Sequence, residues 1–554
     1  MVLPLLSREE VEARIADGDL LVIRHGYVLK LNSWIAKHPG GDKAIHHMVG
    51  RDATDEIDVY HEEATMRKMD AFRVGYVGTP WKSFVPPLQG GKFRTRAEIE
   101  ATKDSEYVQP APRWAKDFNK DVSDSKAAVI DKMLQKELES DLEKYPSLDP
   151  ETQQHIHNKF RELFVELDED GWFQCNYWGY VREFSRIGTF FALSYLFFTW
   201  RQSSLLLLAI SATFLGLGWH QIVFICHDAG HQAITHNYYF DNLMGIFLAS
   251  YIGGLSLTWW KRNHNVHHIV TNDPVHDPDI QHLPFFAVSE RLFGSIYSTY
   301  YERWLWFDKF SQAAIQLQHY LYYPILCFGR FNLYRLSWEH LLRGLGPRHG
   351  KAAFFRWVEL LGLAVFQYWF FYRLCYLTLS TAAERWTFIM VSHIATMPVH
   401  VQITLSHFAQ STSNMGMDES FPQRQIRTTL DVSCPAWFDW VHGGLQFQAV
   451  HHLFPRMPRH NFRAVQPRII RFCEELGLHY TIFGFYKGEE HVINHLRQIG
   501  EQAKIFQACN EFCRQELIGG EAPLLDEAVA MVKEEKAKAS KQVPPIFAAQ
   551  RKTL

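Results

Sequence analysis

His264-Asn265-Val266-His267-His268 decides how this chain is read. On a helix, His264 lies three and four residues before His267 and His268, so the three imidazoles share one face. Working outward, His227 and His231 form an i, i+4 pair upstream, and Gln448, His451 and His452 repeat the i, i+3, i+4 spacing downstream. Neutral imidazole is the commonest side-chain ligand of iron, copper and zinc, so three such boxes imply a metal site. Of the 29 histidines, nine lie between His220 and His282 and seven between His393 and His460, a clustering that points to ligands. A single zinc takes four ligands. The first two boxes alone offer five histidines, a surplus that suggests two metals, and oxygen chemistry requires redox-active iron or copper with open positions.

The boxes sit among apolar segments. Crossing about 30 Å of hydrocarbon takes roughly 20 residues. Ile187–Trp200 is uncharged but short, and Ser203–Cys226 is uncharged and long enough; together they read as a hairpin turning at Arg201. Trp357–Tyr372, which carries Glu359, and Trp386–Ser406 read as a second hairpin turning near Glu384-Arg385. Leu243–Trp260, interrupted by Gly253-Gly254, fits a span or a re-entrant segment. Two hairpins bring the chain back to its starting side, where the three boxes can meet; a full span at Leu243–Trp260 would strand His264 opposite His227. The re-entrant reading is therefore expected. The Lys- and Arg-rich loop from Lys261 to Lys351 agrees with a cytosolic position.

With 554 residues the chain is too long for one core, and its net charge of -3 gives no reason to invoke nucleic acid. Eight scattered cysteines with no C-x-x-C pair indicate neither a disulfide framework nor a zinc ribbon. The first residues lack a long apolar signal region, so a cytosolic N-terminus is expected. Residues 1–80 read as a small domain: Ser7 and Glu10 suggest a capping box, Leu20–Ile23 and Tyr27–Leu29 are strand-like, and His38-Pro39-Gly40-Gly41 follows. Residues 81–125, with Pro86-Pro87, Gly90-Gly91, Pro110 and Pro112, read as a linker. Residues 126–185 carry apolar positions at helical spacing (Ile130, Met133, Leu134, Leu138; Ile156, Phe160, Leu163, Phe164, Leu167), expected to lie on the catalytic domain or the membrane surface. Residues 186–470 hold the spans and boxes. Residues 471–554 form a helical C-terminal region, with a solvated Lys/Glu-rich tail at Val532–Lys541.

Taken with Asp52-Ala53-Thr54-Asp55, His61, Ala64, Phe72 and Gly75, the HPGG motif resembles the cytochrome b5 family over the first 80 residues. Alone it would be a Gly-rich turn with an exposed His. The resemblance implies that His38 and His61 are the axial ligands of a b-type haem, a closed coordination suited to electron transfer and not to oxygen binding. Ile57 stands where the family more often has Phe.

Three His boxes with Gln448 opening the third, fused to such a domain, resemble the front-end membrane desaturases over residues 1 to about 470. That resemblance implies a small α+β haem domain followed by an α-helical membrane domain with about four transmembrane helices and a cytosolic helical cap. It implies two non-haem irons that activate O2 and remove two hydrogens from adjacent carbons of a lipid chain. Electrons would come from NADH through a separate cytochrome b5 reductase. The ligands it implies are His227, His231, His264, His267, His268, His451 and His452, with Gln448 a weaker ligand or a donor behind them and His407 an additional ligand. It also implies residence in the endoplasmic reticulum membrane with haem domain and active site facing the cytosol. His220, His236, His276, His282, His400 and His442 are expected beside the site or in loops. Asp228, Asp277 and Asp279 are expected to orient ligating imidazoles by accepting from the far ring N–H.

The run Trp259-Trp260-Lys261-Arg262-Asn263-His264, continuing through Asp277-Pro278-Asp279-Ile280-Gln281-His282-Leu283-Pro284, is most similar to fungal sphingolipid desaturases acting at carbon 8 of the long-chain base of ceramide. The alternatives are a delta-5 or delta-6 fatty-acyl front-end desaturase, a lipid hydroxylase using the same oxidant, and a membrane haem electron carrier whose boxes are structural or hold zinc.

Overall fold

The computed structural model describes residues 3–102, 109 and 124–518. The Lys/Glu-rich stretch at 532–541 lies outside them, as does most of 103–123.

The N-terminal unit is built on a three-stranded antiparallel sheet, β1 Leu21–Arg24, β2 Tyr27–Lys30 and β3 Arg73–Tyr76, in the order β1-β2-β3. Val22 and Leu29 face each other across β1 and β2 and enter the core with Ala44, Ile45 and Met48. The first helix, Arg8–Ala16, is capped by Ser7, whose hydroxyl accepts from the Glu10 N–H at 3.2 Å. Ile57 lies half-buried against the same core.

The stretch read as a linker is packed where it is described. Phe84 and Leu88 are buried, the Trp81 indole donates to the Gly50 carbonyl at 3.0 Å, and Arg94 pairs with buried Glu12 at 2.9 Å. A short helix, Arg96–Ala101, begins with a full capping box from Thr95 and Glu98. Proline and glycine density at the sequence level signals irregular backbone; here that backbone is tied to the N-terminal unit by aromatic anchors, backbone hydrogen bonds and ion pairs.

The amphipathic segments form helices Asp124–Lys144 and Pro150–Glu169. Ile156, Phe160, Leu163 and Leu167 are buried against Val450, Leu453, Phe454 and Phe462, so this face covers the helix of the third box; Phe160 stacks on Phe454 with centroids 5.4 Å apart.

Three described helices are long and apolar enough to cross a membrane: Leu205–Gly230, Phe355–Thr378 and Ala382–His407. The expected span Ile187–Trp200 is the apolar end of a longer helix, Tyr177–Trp200, whose first half carries Arg182, Glu183 and Arg186; by composition it falls short, although it packs along Leu205–His231, with the Ser211 hydroxyl donating to the Ser194 carbonyl at 2.7 Å. The fourth candidate is a bent pair, Tyr238–Ile252 and Leu257–Ile269, which turns through 115°. Gly254 occupies the bend with φ +72°, and a Cβ there would meet the Phe366 ring at 2.3 Å. The bend returns His264 to His227, as the re-entrant reading expects. Arg201, at the first hairpin turn, reaches the Thr378 carbonyl at 3.5 Å, so both hairpin turns share one end of the bundle, away from the boxes.

Beyond the third box, helices Phe462–Leu476 and Phe485–Ile518 follow, linked to the spans by a parallel pair, Asp431–Ser433 with Ile482–Gly484.

Candidate metal and haem sites

Each box is held by the local chemistry of its helix. His227 and His231 occupy the last two turns of Leu205–His231. Gly230 between them is required by packing: a Cβ there would lie 2.2 Å from Trp260. The second-box helix, Leu257–Ile269, starts under Ser256, whose hydroxyl accepts from the Trp259 N–H at 3.0 Å; buried Glu359 of the neighbouring span accepts from the Thr258 N–H at 2.9 Å. The third-box helix, Gln448–Leu453, has Asp431 at its start, accepting from the Ala449 N–H at 2.9 Å. Gln448, its first residue, is buried.

The helices cross so that the boxes divide between two clusters. One holds His227, His231, His264 and His451; the other holds His267, His407 and His452; within each, candidate ligand nitrogens lie within 4.8 Å of one another. In the first, Nε2 of His264 is 3.4 Å from Nε2 of His451, and the rings of His227 and His451 have centroids 4.4 Å apart. In the second, centroids are 4.6 Å apart for His267 and His407 and 5.0 Å for His407 and His452. His268 stands between them: its Nε2 is 2.9 Å from Nε2 of His264, and its ring is 4.6 Å from His451 and 4.1 Å from His452.

The donor set fits metal. In the second cluster every Nδ1 has its own acceptor, Asp277 for His267 at 2.8 Å, the Thr428 carbonyl for His407 at 3.2 Å and the Gln425 side-chain oxygen for His452 at 2.9 Å. An Nδ1–H so engaged fixes the tautomer and leaves Nε2 as the ligating lone pair. The Nε2 atoms of His227, His231 and His452 are buried with no hydrogen-bond partner among the described residues. Buried polar atoms seldom lack partners, and a ring of such nitrogens is what a coordinated cation satisfies.

Two supporting residues lie outside the candidate ligands and their supporting carboxylates named from the sequence. Gln425 accepts from His452 and from the Thr271 hydroxyl and donates to the His268 carbonyl at 2.8 Å, linking two boxes. Trp260 stacks on His264 with centroids 4.5 Å apart. Neither belongs to a spacing pattern, and only the fold brings them in.

Asp277 orients His267 as expected, and Asp279 accepts from Asn263, with His264 Nδ1 3.7 Å away. Asp228 does not orient His227. Its nearer oxygen is 3.6 Å from Nδ1, too long for a hydrogen bond, while its other oxygen accepts from Tyr180 at 2.5 Å and Arg459 at 2.8 Å. It belongs to a buried ionic group with Glu183 and Arg459 that ties helix Tyr177–Trp200 to the segment after the third box. The remaining histidines have partners away from the clusters: His220 with the Val441 carbonyl, His236 with that of Phe173, His276 with Thr299, His282 with the Asp279 carbonyl and His442 with Gln402. His400 is in neither cluster.

In the N-terminal unit His38 and His61 face each other with ring centroids 6.3 Å apart. With metal–nitrogen bonds of about 2 Å, two imidazoles on opposite sides of one iron have ring centres roughly 6 Å apart. Nδ1 of His38 donates to the Gly41 carbonyl at 2.7 Å and Nδ1 of His61 to the Ile57 carbonyl at 2.8 Å, which leaves both Nε2 atoms for the metal. Burial holds both rings below the usual imidazole range, His61 down to about 4, so each is in its neutral, ligating form.

This unit is docked on the second-box helix. Val266, Ile269 and Val270 share a core with Val22, Leu29 and Ile45. Asp42 accepts two hydrogen bonds from Arg262, at 3.1 and 2.9 Å, and Lys43 pairs with Glu302 at 2.6 Å. The glycines of the HPGG motif are set by this contact: a Cβ on Gly40 would lie 2.8 Å from Asn265, one on Gly41 2.8 Å from Arg262, and Gly41 has φ +92°.

Fold and site together describe a helical domain with apolar helices long enough to cross a membrane and histidine clusters that could hold metal, joined to a small domain whose two facing histidines could hold haem. Residues 203–484 match the fatty acid desaturase family, and residues 7–78 match the cytochrome b5-like heme/steroid binding domain. A Delta 8-(E)-sphingolipid desaturase of Kluyveromyces lactis is 50% identical, covering 92% of this chain and 95% of that protein; one of Candida albicans is 48% identical, covering 91% and 97%. An acyl-lipid (9-3)-desaturase of Borago officinalis is 30% identical, covering 90% and 94%. The chain belongs to the fatty acid desaturase family, in the form fused to an N-terminal cytochrome b5-like domain. It is a desaturase, an oxidoreductase of membrane lipid; its haem-type domain implies haem and its family implies iron.

Proposed function

We propose that this enzyme introduces an (E) double bond at carbon 8 of the sphingoid long-chain base of ceramide, with O2 as co-substrate. The observation that carries the oxidative half is the convergence of the three boxes and His407 into two adjacent histidine clusters beside a docked bis-histidine domain. The choice of sphingoid base is supported by relatives of that printed activity at 48–50% identity over nine-tenths of the chain, against 30% for the acyl-lipid relative.

The first iron would be held by His227, His231, His264 and His451, the second by His267, His407 and His452, with His268 between them and Gln448 behind the third box. Bound there, iron supplies the redox chemistry that activates O2 and removes one hydrogen from each of two adjacent carbons. The protein's own residues do the positioning. Asp277, Gln425 and the Thr428 carbonyl hold three imidazoles in one tautomer, Trp260 packs the first cluster, and the covering helix Pro150–Glu169 closes the third box from water with Phe160. His38 and His61 would carry the haem, reduced from NADH by a separate cytochrome b5 reductase. Residence in the endoplasmic reticulum, with haem domain and clusters facing the cytosol, is inferred from the family; two hairpins with both turns at one end support a single shared face for the haem domain and the clusters.

The test is mass spectrometry of sphingoid bases and total fatty acids from a yeast host lacking this unsaturation, expressing the wild type or His268→Ala. Delta-8 unsaturation in the long-chain base, absent in the mutant, is expected. New unsaturation confined to fatty acids would move the assignment to the acyl front-end activity and a hydroxylated base to a hydroxylase; no lipid change, together with haem but no further iron on metal quantitation of the purified protein, would move it to an electron carrier.

A further inference from the structure

Among the described residues, the ring of Tyr60 carries the haem-type domain to the metal clusters. Tyr60 is the last residue of helix Thr54–Tyr60 and is bonded in the chain to His61. Its ring meets that of His268 edge-on, centroids 5.9 Å apart at 87°. His268 in turn touches both clusters, through His264 and His451 on one side and His452 on the other. The Tyr60 hydroxyl is buried with no hydrogen-bond partner among the described residues, so no polar contact explains the residue's placement.

A second contact leads from the other half of the haem pair: the Gly40 carbonyl accepts from Asn265 Nδ2 at 3.2 Å. It ends on a side chain that belongs to neither cluster, whereas the Tyr60 ring ends on the imidazole shared by both. The Tyr60 contact is clamped from two sides, by Asp42 with Arg262 and by Asp55 with Arg161 at 2.6 Å.

We propose that Tyr60 is the positioning residue through which electrons leave the haem domain, passing by its ring to His268 and the clusters. The inference rests on the iron and haem reading given above. With haem and iron bound, each transfer would oxidise the haem held by His38 and His61 by one electron and reduce one cluster iron by one; no atom or proton would cross the contact. Two transfers would supply two electrons, which with two electrons and two protons from the substrate carbons and two protons from solvent would reduce one O2 to two waters. Electron tunnelling weakens steeply across non-bonded gaps, so a route that runs along the chain from His61 to Tyr60 and then crosses one ring contact to His268 is worth more than the same space filled by a shorter side chain.

The experiment uses the full-length enzyme in detergent with iron and haem loaded. Haem is reduced without oxygen, mixed with oxygenated buffer containing ceramide, and its reoxidation followed by haem absorbance, expressed per bound haem. Wild type and iron-chelated wild type are compared first: equal rates would remove the reading that haem feeds the clusters, independently of Tyr60. Given a faster iron-loaded rate, Tyr60→Leu is expected to slow reoxidation on the order of tenfold or more, as small misplacements in a preorganised site do, while Tyr60→Phe keeps the wild-type rate. Iron content and the haem spectrum should be unchanged in both. A Tyr60→Leu rate equal to wild type, or a Tyr60→Phe rate as slow as Tyr60→Leu, would overturn the proposal. Should Tyr60→Leu bind no haem, Tyr60→Met takes its place, and loss of haem in both would make Tyr60 a packing residue of the haem pocket and end the proposal.

Discussion

At the scale of single residues, two aspartates of similar appearance do different work. Asp277 accepts from Nδ1 of His267, and such carboxylates behind a ligand raise its basicity and fix its ring. Asp277→Ala should therefore lower affinity for iron about 10- to 100-fold, read as iron per chain after dialysis against a weak chelator, while the haem spectrum stays intact. Asp228 balances Arg459 together with Glu183 in a buried group. Removing one partner from such a group costs about 3–5 kcal/mol, because a buried charge is left uncompensated. Asp228→Ala should thus lower the melting temperature sharply in detergent and leave iron per folded chain near the wild-type value. Selective loss of iron without destabilisation would return Asp228 to the role of orienting His227.

At the scale of elements, helix Asp124–Lys144 holds the segment that follows the last span. Glu137 accepts from the Thr412 N–H at 2.8 Å and from its hydroxyl at 3.0 Å, five residues after His407. Burial, the largest influence, raises the Glu137 carboxyl to about 7 from an ordinary 4.5. The folded state therefore binds a proton that the unfolded chain has released between those values, and stability from this group is complete below about pH 4.5 and lost as pH rises through about 7. Glu137→Gln keeps the shape and removes the titration. The mutant's melting temperature should rise relative to wild type as pH goes from 5 to about 7 and hold a constant offset above that; a difference independent of pH would show that Glu137 does not change protonation on folding.

At the scale of the whole molecule, the facing pair His38 and His61 and the box histidines lie in separate units that meet at one interface. Chelating the non-haem iron should abolish double-bond formation and leave haem absorbance unchanged, because the haem pair takes no ligand from the membrane domain. The interface combines a shared apolar core with the Asp42–Arg262 pair. Asp42→Asn leaves the Arg262 charge buried, a loss of about 3–5 kcal/mol by the same reasoning as for Asp228. Faster hydrogen exchange over residues 38–60 and 262–270 is expected; unchanged exchange at both would show that the apolar contact alone holds the domain.

The candidate ligating histidines and their i, i+3, i+4 spacing were legible in the sequence, because a helix places such residues on one face whatever surrounds it. The haem pair was legible for a related reason: the HPGG turn and the Asp52–His61 run are short motifs whose geometry is local. Which box histidines come together was decided only by tertiary structure. The second box divides, His264 joining His227, His231 and His451 while His267 joins His407 and His452, since helix crossing, and not periodicity, determines which nitrogens meet. His264 and His451 are 187 residues apart in the chain, and no local pattern links them. The same holds for Gln425, for the packed course of residues 81–102 and for the Tyr60–His268 contact. Each depends on one surface closing on another, which amino-acid order specifies only through the folded core.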